Sequence, residues 1–455
     1  MATRVEAVSV DTVRVPGGVL EVATLAYPAV LQTLSETLMQ VIDSAIVGHL
    51  GVTELGSVGF GGIWVWTLLC AFFGAGSAVQ TFVSQAYGAK EHGGCGRWVW
   101  QALYALGPVI LAWAALIALL FPTLLQVLNP SAELQALAVP YVRARLCGAP
   151  ALVPAIVFTS FFRGIGDTRT PLVASLVEIA VNVVLAYGLV YGRFGLPVWG
   201  VTGAGAAMAI ALWFYSVVLL VALLRPRVRT RFRTAPVAPE RASIARLLSV
   251  GLPIGGQWVL DMLSFAMFST LIARMGDLAI AANQAIIQLL SLSFMQAVGI
   301  SIASGALVGR YVGARDLAAA ERSHWSAIKL GVGLAAIVAT LFLTMPDFLL
   351  GIFTTNSELL RLGRPLLALG ALFQLVDAIG IIAAGGLRGA GDTRWPFVAQ
   401  TTLAWLLRLP LVYLLAVALE GGVTGAWLGE LGYVTALGAM WLARFRAGVW
   451  RTMRI

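Results

Sequence analysis

Charge is scarce in this chain: 11% of its 455 residues are Asp, Glu, Lys or Arg, where an average soluble domain carries roughly 25%. Cysteine is scarcer still. Cys70, Cys95 and Cys147 are too few and too scattered for a disulfide framework or a metal cluster. The first 18 residues contain Arg4, Glu6, Asp11, Arg14 and Pro16 but no apolar core, so no cleavable signal peptide is expected. No phosphate-cradling glycine loop ending in Lys and Ser or Thr occurs, which argues against ATP drive. What the chain has in abundance is apolar surface: 59% of residues are hydrophobic, with 49 Gly, 14 Trp and a mean hydropathy of +0.89. That composition excludes disorder, a collagen repeat and an ordinary soluble domain.

Hydropathy, punctuated by charge, Gly and Pro, predicts twelve helical spans: 24–48, 55–87, 98–121, 135–162, 171–192, 201–224, 246–273, 279–309, 326–346, 359–387, 396–419 and 423–443. An even number puts both termini on one side. Most of the 30 Lys and Arg fall on that side, which makes it the cytoplasmic side of the membrane. The net charge of +9 is therefore a signal of topology, and no nucleic-acid partner is expected.

The chain repeats. At a shift of 225 positions Pro28 falls on Pro253, Gln32 on Gln257, Gly51 on Gly276, Gly88 on Gly313 and Pro140 on Pro365. The same shift lays Arg163-Gly-Ile-Gly-Asp167-Thr-Arg-Thr-Pro171 on Arg388-Gly-Ala-Gly-Asp392-Thr-Arg-Trp-Pro396, and near the end a shift of 222 lays Gly200-Val-Thr-Gly-Ala on Gly422-Val-Thr-Gly-Ala. Composition bias does not align prolines and a nine-residue string at one offset. The expected fold is an all-α polytopic membrane protein with two homologous six-helix lobes, related by a pseudo-two-fold axis along the membrane normal. Its parts are a cytoplasmic tail (1–23), an N-lobe (24–224), a basic linker (225–245), a C-lobe (246–443) and a basic cytoplasmic tail (444–455). The linker, rich in Arg and Pro, suits anionic lipid headgroups.

The two Arg-Gly strings have a mechanical reading. Arg163 and Arg388 end one helix, the glycines turn, Asp167 and Asp392 cap the next helix, and Pro171 and Pro396 enter its first turn. Gly-x-Gly-Asp also occurs in intramembrane aspartyl proteases, but here the Asp lies in a short polar connection and no Tyr-Asp dipeptide is present.

Ionisable residues inside the spans are few because each costs several kcal/mol unless paired or protonated. They are Glu36, Asp43, Glu178, Asp261, Asp377, Arg408 and Glu430. Gln32, Glu36, Gln40 and Asp43 share one stripe of the first span, and Gln257, Asp261 and Ser264 a similar stripe of the seventh. The repeat places Glu36 on Asp261. Gln374 and Asp377 stand one turn apart in an apolar run, where a carboxylate is suited to exchange protons or, with a second acid, to replace the hydration shell of a monovalent cation. Arg408 and Glu430 suggest a structural ion pair, and Glu178 precedes Asn182 by one turn.

Pro28 followed by Val41-Ile-Asp43-Ser-Ala-Ile-Val-Gly48, Gly251-Leu-Pro253-Ile leading to Asp261, Ala281-Ala-Asn-Gln284, and Gln374-Leu-Val-Asp377 through Arg388-Gly389 together resemble the multidrug and toxic compound extrusion (MATE) family, nearest its norfloxacin-exporter-like bacterial branch. The resemblance covers nearly all of both lobes. It implies two lobes around a central cavity and alternating access driven by protons or sodium ions. The implied substrate is a lipophilic, often cationic, small molecule moving outward. By position it assigns Asp43 to an N-lobe proton or cation site and Asp261 with Asp377 to the C-lobe site, where sodium is also possible; no other metal and no cofactor are implied. The sequence departs from one branch at Ala186, where an Asp would follow Asn182, and from the usual Glu at Asp261.

The expected function is therefore secondary antiport by a non-enzymatic monomer, coupled at Asp377, Asp261, Asp43 and Glu36. Gln32, Gln257, Gln284, Asn182, Gln374 and Phe265 are candidates for the substrate cavity, with Phe60, Trp64, Trp213, Phe268 and Phe294 able to stack on an aromatic cation. Glycines around Gly59–Gly62 and Gly74–Gly76 suit close helix approach. The alternatives are a flippase for a lipid-linked precursor, disfavoured by an acidic interior, and an intramembrane enzyme.

Overall fold

Backbone polar groups in a bilayer must be satisfied within the segment, which makes long apolar runs helical. The computed structural model describes residues 15–128, 131–352 and 356–453, so residues 1–14 of the N-terminal tail lie outside the described residues. The N-lobe consists of α1 (Val19–Gly48), α2 (Val52–Gly88), α3 (His92–Leu128), α4 (Ala132–Leu146), α5 (Ala149–Gly164), α6 (Arg169–Tyr191) and α7 (Gly200–Leu224). A short α8 (Pro226–Phe232) lies in the linker. The C-lobe follows with α9 (Arg241–Ala273), α10 (Asp277–Gly313), α11 (Leu317–Thr344), α12 (Pro346–Gly351), α13 (Ser357–Ala390), α14 (Arg394–Leu403), α15 (Leu409–Tyr413) and α16 (Gly422–Arg446). The twelve predicted spans each correspond to one of these rods or to a broken rod.

Two spans are irregular. The fourth is bent by 47° between α4 and α5, where Gly148 lets the chain pass the backbone of Ala209 and Pro150 occupies the first turn of α5, with no amide donor to lose there. The eleventh carries π-helical turns at Ala404–Arg408 and Leu414–Ala418 on either side of α15, a local underwinding that often re-aims side chains at functional sites. Among the described residues nine helices are long and apolar enough to cross a membrane, and the bent α4–α5 pair makes a tenth. Helices α1 and α16, with 30 and 25 residues, are of spanning length but diluted by polar side chains.

The repeat is visible in the backbone. Gly166 and Gly391, related by the 225-residue shift, both take positive φ (84° and 96°) where the chain turns into the next helix, a region that suits glycine.

Between the lobes, the described hydrogen bonds run from mid-helix to the end that carries the termini. Thr33 donates to the Met295 carbonyl at 3.0 Å, Gln80 to Ile302 at 2.9 Å, Thr81 to Arg388 at 2.9 Å and Gln85 to Gly389 at 3.2 Å. Nearer the termini, Tyr311 donates to Glu21 at 2.7 Å, Arg322 to the Pro16 carbonyl at 2.9 Å and Ser326 to the Gly17 carbonyl at 2.9 Å. Glycines allow the backbones to meet: a Cβ on Gly74 would sit 2.7 Å from the Gly255 backbone, and one on Gly88 would run into the Arg310 carbonyl. Gly59, expected to serve the same purpose, faces open space instead. Toward the other end, Glu36 and Gln40 on α1 and Gln284 and Gln288 on α10 are exposed, so the seam opens into a cleft on the face away from the termini.

The linker is ordered against the N-lobe. Phe232 is buried against Phe161, His92 and Tyr87, Trp100 donates to the Thr234 carbonyl at 3.0 Å and Gln101 to the Ala238 carbonyl at 2.9 Å. Arg225, Arg227, Arg229, Arg231 and Arg233 remain exposed beside it.

Candidate functional site

The C-lobe cluster is built around one arginine. Arg408, aimed inward from the π turn before Pro410, donates from Nε and Nη2 to the two carboxylate oxygens of Glu430 on α16, both at 2.7 Å. Its Nη1 donates to Ser264 Oγ at 3.3 Å and lies 3.9 Å from Asp261 Oδ1 on α9. The guanidinium also lies over the rings of Phe265 and Phe268, 5.6 Å from each centroid, and of Tyr433 at 5.1 Å. Asp377 of α13 interacts electrostatically with Asp261, Glu430 and Arg408. Glu430 is sealed in, whereas the Asp261 side chain keeps about a third of its surface open. Two carboxylates thus share one guanidinium with a third, Asp377, in electrostatic reach, an excess of acid that a proton or a monovalent cation can balance. Among the described residues no three His, Cys, Asp or Glu side chains gather closely enough to hold a metal ion, so sodium there would need hydroxyl, amide or water oxygens as further ligands.

In the N-lobe, Asn182 of α6 donates to Asp43 Oδ1 of α1 at 2.6 Å, and Asp43 Oδ2 and Asn182 Oδ1 are buried without a hydrogen-bond partner. Two orphaned oxygens on one hydrogen-bonded pair of side chains can accept a proton or ligate a cation. The departure at Ala186 does not dissolve this pairing. A second cluster lies on the same stripe of α1: Gln32 donates to Tyr215 at 3.0 Å and to Glu36 at 3.3 Å, and Tyr215 shares a 2.7 Å hydrogen bond with Thr159.

The repeated strings do more than turn the chain. Arg163 donates to Gln32 Oε1 at 3.0 Å and Arg388 to Gln257 Oε1 at 3.2 Å, the same contact at positions related by the same shift. Each arginine reaches into its lobe instead of closing a helix end. Asp167 accepts from the amides of Arg169 and Thr170 at 3.1 and 3.0 Å, a cap of the expected kind. Asp392 does not cap α14: its carboxylate takes Arg444 of α16 at 2.8 Å, a partner its N-lobe counterpart lacks. Pro171 and Pro396 lie buried in the first turns of α6 and α14.

The remaining candidates divide by exposure. Gln284 and Phe294 are exposed and Phe265 half-buried, so they border open space. Gln32, Gln257, Asn182 and Gln374 are buried; Gln257 bonds Gln400, and Gln374 donates to the Ala335 carbonyl at 3.4 Å while its own oxygen has no partner. Phe268 is packed out of reach against Trp427, and exposed Trp213 donates to the Cys147 carbonyl at 3.1 Å. Tyr215 and Tyr433 were missed from sequence. Tyr433 stands three residues after Glu430 on the same face of α16, a spacing that could have marked it.

The family model MatE matches residues 28–188 and 253–414, two blocks that begin on the repeat-related prolines and fall one in each lobe. The chain belongs to the MatE family. Among its relatives, the "Multidrug resistance protein NorM" of Burkholderia vietnamiensis is 28% identical over 433 residues, 94% of this chain and 93% of that one. A "Probable multidrug resistance protein NorM" of Xanthomonas campestris is 30% identical over 425 residues, 93% of this chain and 92% of that one. A crystal structure described as MATE in the straight conformation superposes with a TM-score of 0.87 at 19% identity, covering 96% of this chain and 97% of the other. The MatE fold accounts for the two lobes and the cleft between them.

Proposed function

We propose that this MatE protein is a secondary antiporter that exports lipophilic or aromatic, often cationic, compounds in exchange for protons or sodium ions. The observation that carries the reading is the meeting of Asp261 and Glu430 at one arginine, with Asp377 in electrostatic reach of all three, beside an open cleft. In the cycle, a cationic substrate enters a cleft whose acids are ionised, and its charge is held by Asp261 and Asp377. Proton or sodium binding at those carboxylates removes that attraction and releases the substrate outward. An ion shifts a two-state equilibrium only through its different affinity for the two states, so the carboxylates must be differently hydrated in the inward- and outward-open forms. Asp43 with Asn182 provides an N-lobe counterpart. Exposed aromatics and Gln284 supply sequence-tolerant packing and hydrogen bonds.

The Arg distribution supports a plasma-membrane location, the bacterial inner membrane, with both termini cytoplasmic. The cleft therefore faces outward in this conformation. No prosthetic group is needed, and a monomer suffices because both halves of the cleft come from one chain. An intramembrane aspartyl enzyme is disfavoured by the separate partners of Asp167 and Asp392. A flippase for anionic lipid-linked precursors is disfavoured because Glu36 and Asp261 carry acid into the cleft.

The test is flux of ethidium, a fluorescent aromatic cation, through proteoliposomes under an imposed proton gradient and then a sodium gradient. Wild type is expected to respond to one of them, and Asp377→Asn to lose gradient-driven flux at normal protein level. Gradient-driven flux that survives Asp377→Asn removes the C-lobe coupling assignment.

A further inference from the structure

The N-lobe holds a second pair of carboxyl groups apart from Asp43. Glu36 is exposed to the cleft, seven residues before Asp43 and so about 10 Å lower along α1. Glu178, on α6, is 9% exposed, and its carboxyl group takes part in no hydrogen bond among the described residues. It interacts electrostatically with Glu36 and with the Tyr215 phenol. Of the ionisable groups on the helices packed around it, Glu36 on α1 and Tyr215 on α7 interact with it, and α1 is held to α6 one turn farther along by the Asp43–Asn182 hydrogen bond. Arg163 interacts with Glu36, and its own Nε is buried without a partner.

The repeat explains why a second acid belongs here. Glu36 falls on Asp261, and the Gln32–Arg163 contact falls on Gln257–Arg388. Asp261 finds its second carboxyl group in Asp377, but the N-lobe position matching Asp377 is Leu152. Glu178 supplies the missing acid from a different helix, at a position where the C-lobe has Leu403. The two lobes reach the same composition, two acids near an Arg–Gln contact, by different residues.

We propose that Glu36 and Glu178 form a second proton site of the N-lobe, distinct from Asp43 and Asn182, with Glu178 holding the proton on its nearly buried carboxyl group and Glu36 exchanging it with water in the cleft. In the step, the O–H bond of the Glu178 carboxylic acid breaks, the proton joins the Glu36 carboxylate, and from there it passes to a cleft water as hydronium. The pair becomes more negative by one charge and no other bond changes. A carboxylate left ionised without a hydrogen-bond donor in such an interior is costly, which is the physical reason for a proton to reside on Glu178. The inference rests on the antiport reading for the use of the proton, while protonation itself is measured without flux.

The experiment is pH-difference infrared spectroscopy of the full chain in phosphatidylglycerol–phosphatidylethanolamine liposomes, reading the carboxylic-acid C=O stretch. The expected result is a titrating band that is lost in Glu178→Gln, titrates at a different pH in Glu36→Gln and persists in Asp43→Asn. Glu36 is exposed, so its Gln variant keeps the fold and tests the coupling even if Glu178→Gln does not assemble. A band untouched by Glu36→Gln, or lost in Asp43→Asn instead, overturns the proposal. Ethidium flux in the same liposomes separates the two readings: absent wild-type flux with the band behaving as stated counts against antiport and leaves the proton site standing.

Discussion

Arg408 holds Glu430 through two parallel hydrogen bonds of 2.7 Å, and both side chains are almost closed to solvent. Removing one member of such a pair strands the other, at a cost on the order of 3–5 kcal/mol, whereas replacing both with apolar groups is often neutral. Arg408→Met is therefore expected to lower the thermal unfolding midpoint of the purified protein sharply, and Arg408→Met with Glu430→Leu to recover most of the loss. Equal destabilisation by the single and double variants would show that the pair does not carry the stability of this corner.

The seam between the lobes depends on missing side chains. At Gly88 an added Cβ collides with the backbone carbonyl of Arg310, which belongs to a helix and cannot yield locally. Gly88→Val is expected to part the lobes at the end bearing the termini and to populate the form open on that side. Spin labels on Ala89→Cys and Ala314→Cys, in a Cys147→Ser background that removes the exposed native thiol, read this as a longer inter-label distance. An unchanged distance would mean that the seam absorbs the side chain elsewhere.

Phe232 anchors the basic linker in the N-lobe. Phe→Ala at a buried site costs roughly 3–5 kcal/mol, here lost mostly from local docking. Phe232→Ala is expected to speed tryptic cleavage among Arg227, Arg229, Arg231 and Arg233 by tenfold or more while leaving the unfolding of the two lobes little changed. Cleavage at the wild-type rate would assign the docking to the Trp100 and Gln101 hydrogen bonds instead.

Lobe architecture was legible because duplication left prolines, glycines and an amide at one constant offset, and those residue types are constrained by backbone geometry. Contacts between helices were not. Asn182 and Asp43 meet because α6 packs on α1, a fact absent from either stretch alone. The fates of Asp167 and Asp392 diverge for a similar reason: Arg444 waits on α16, while the corresponding position on α7 is Ala222. The inward reach of Arg163 and Arg388 was hidden by the turn chemistry around them, since a long side chain at a helix end can point either way. The π turn that aims Arg408 has no simple sequence mark beyond Pro410 two residues on.

The covalent join between the halves has almost no slack. Gln101 accepts the Glu240 amide at 2.8 Å and donates to the Ala238 carbonyl, so the tether stays fastened to the first half until one residue before α9 begins. Reorientation of the halves must then swivel on the opening turn of α9, and the length of the connecting chain sets a pivot for the motion as well as a limit to its reach.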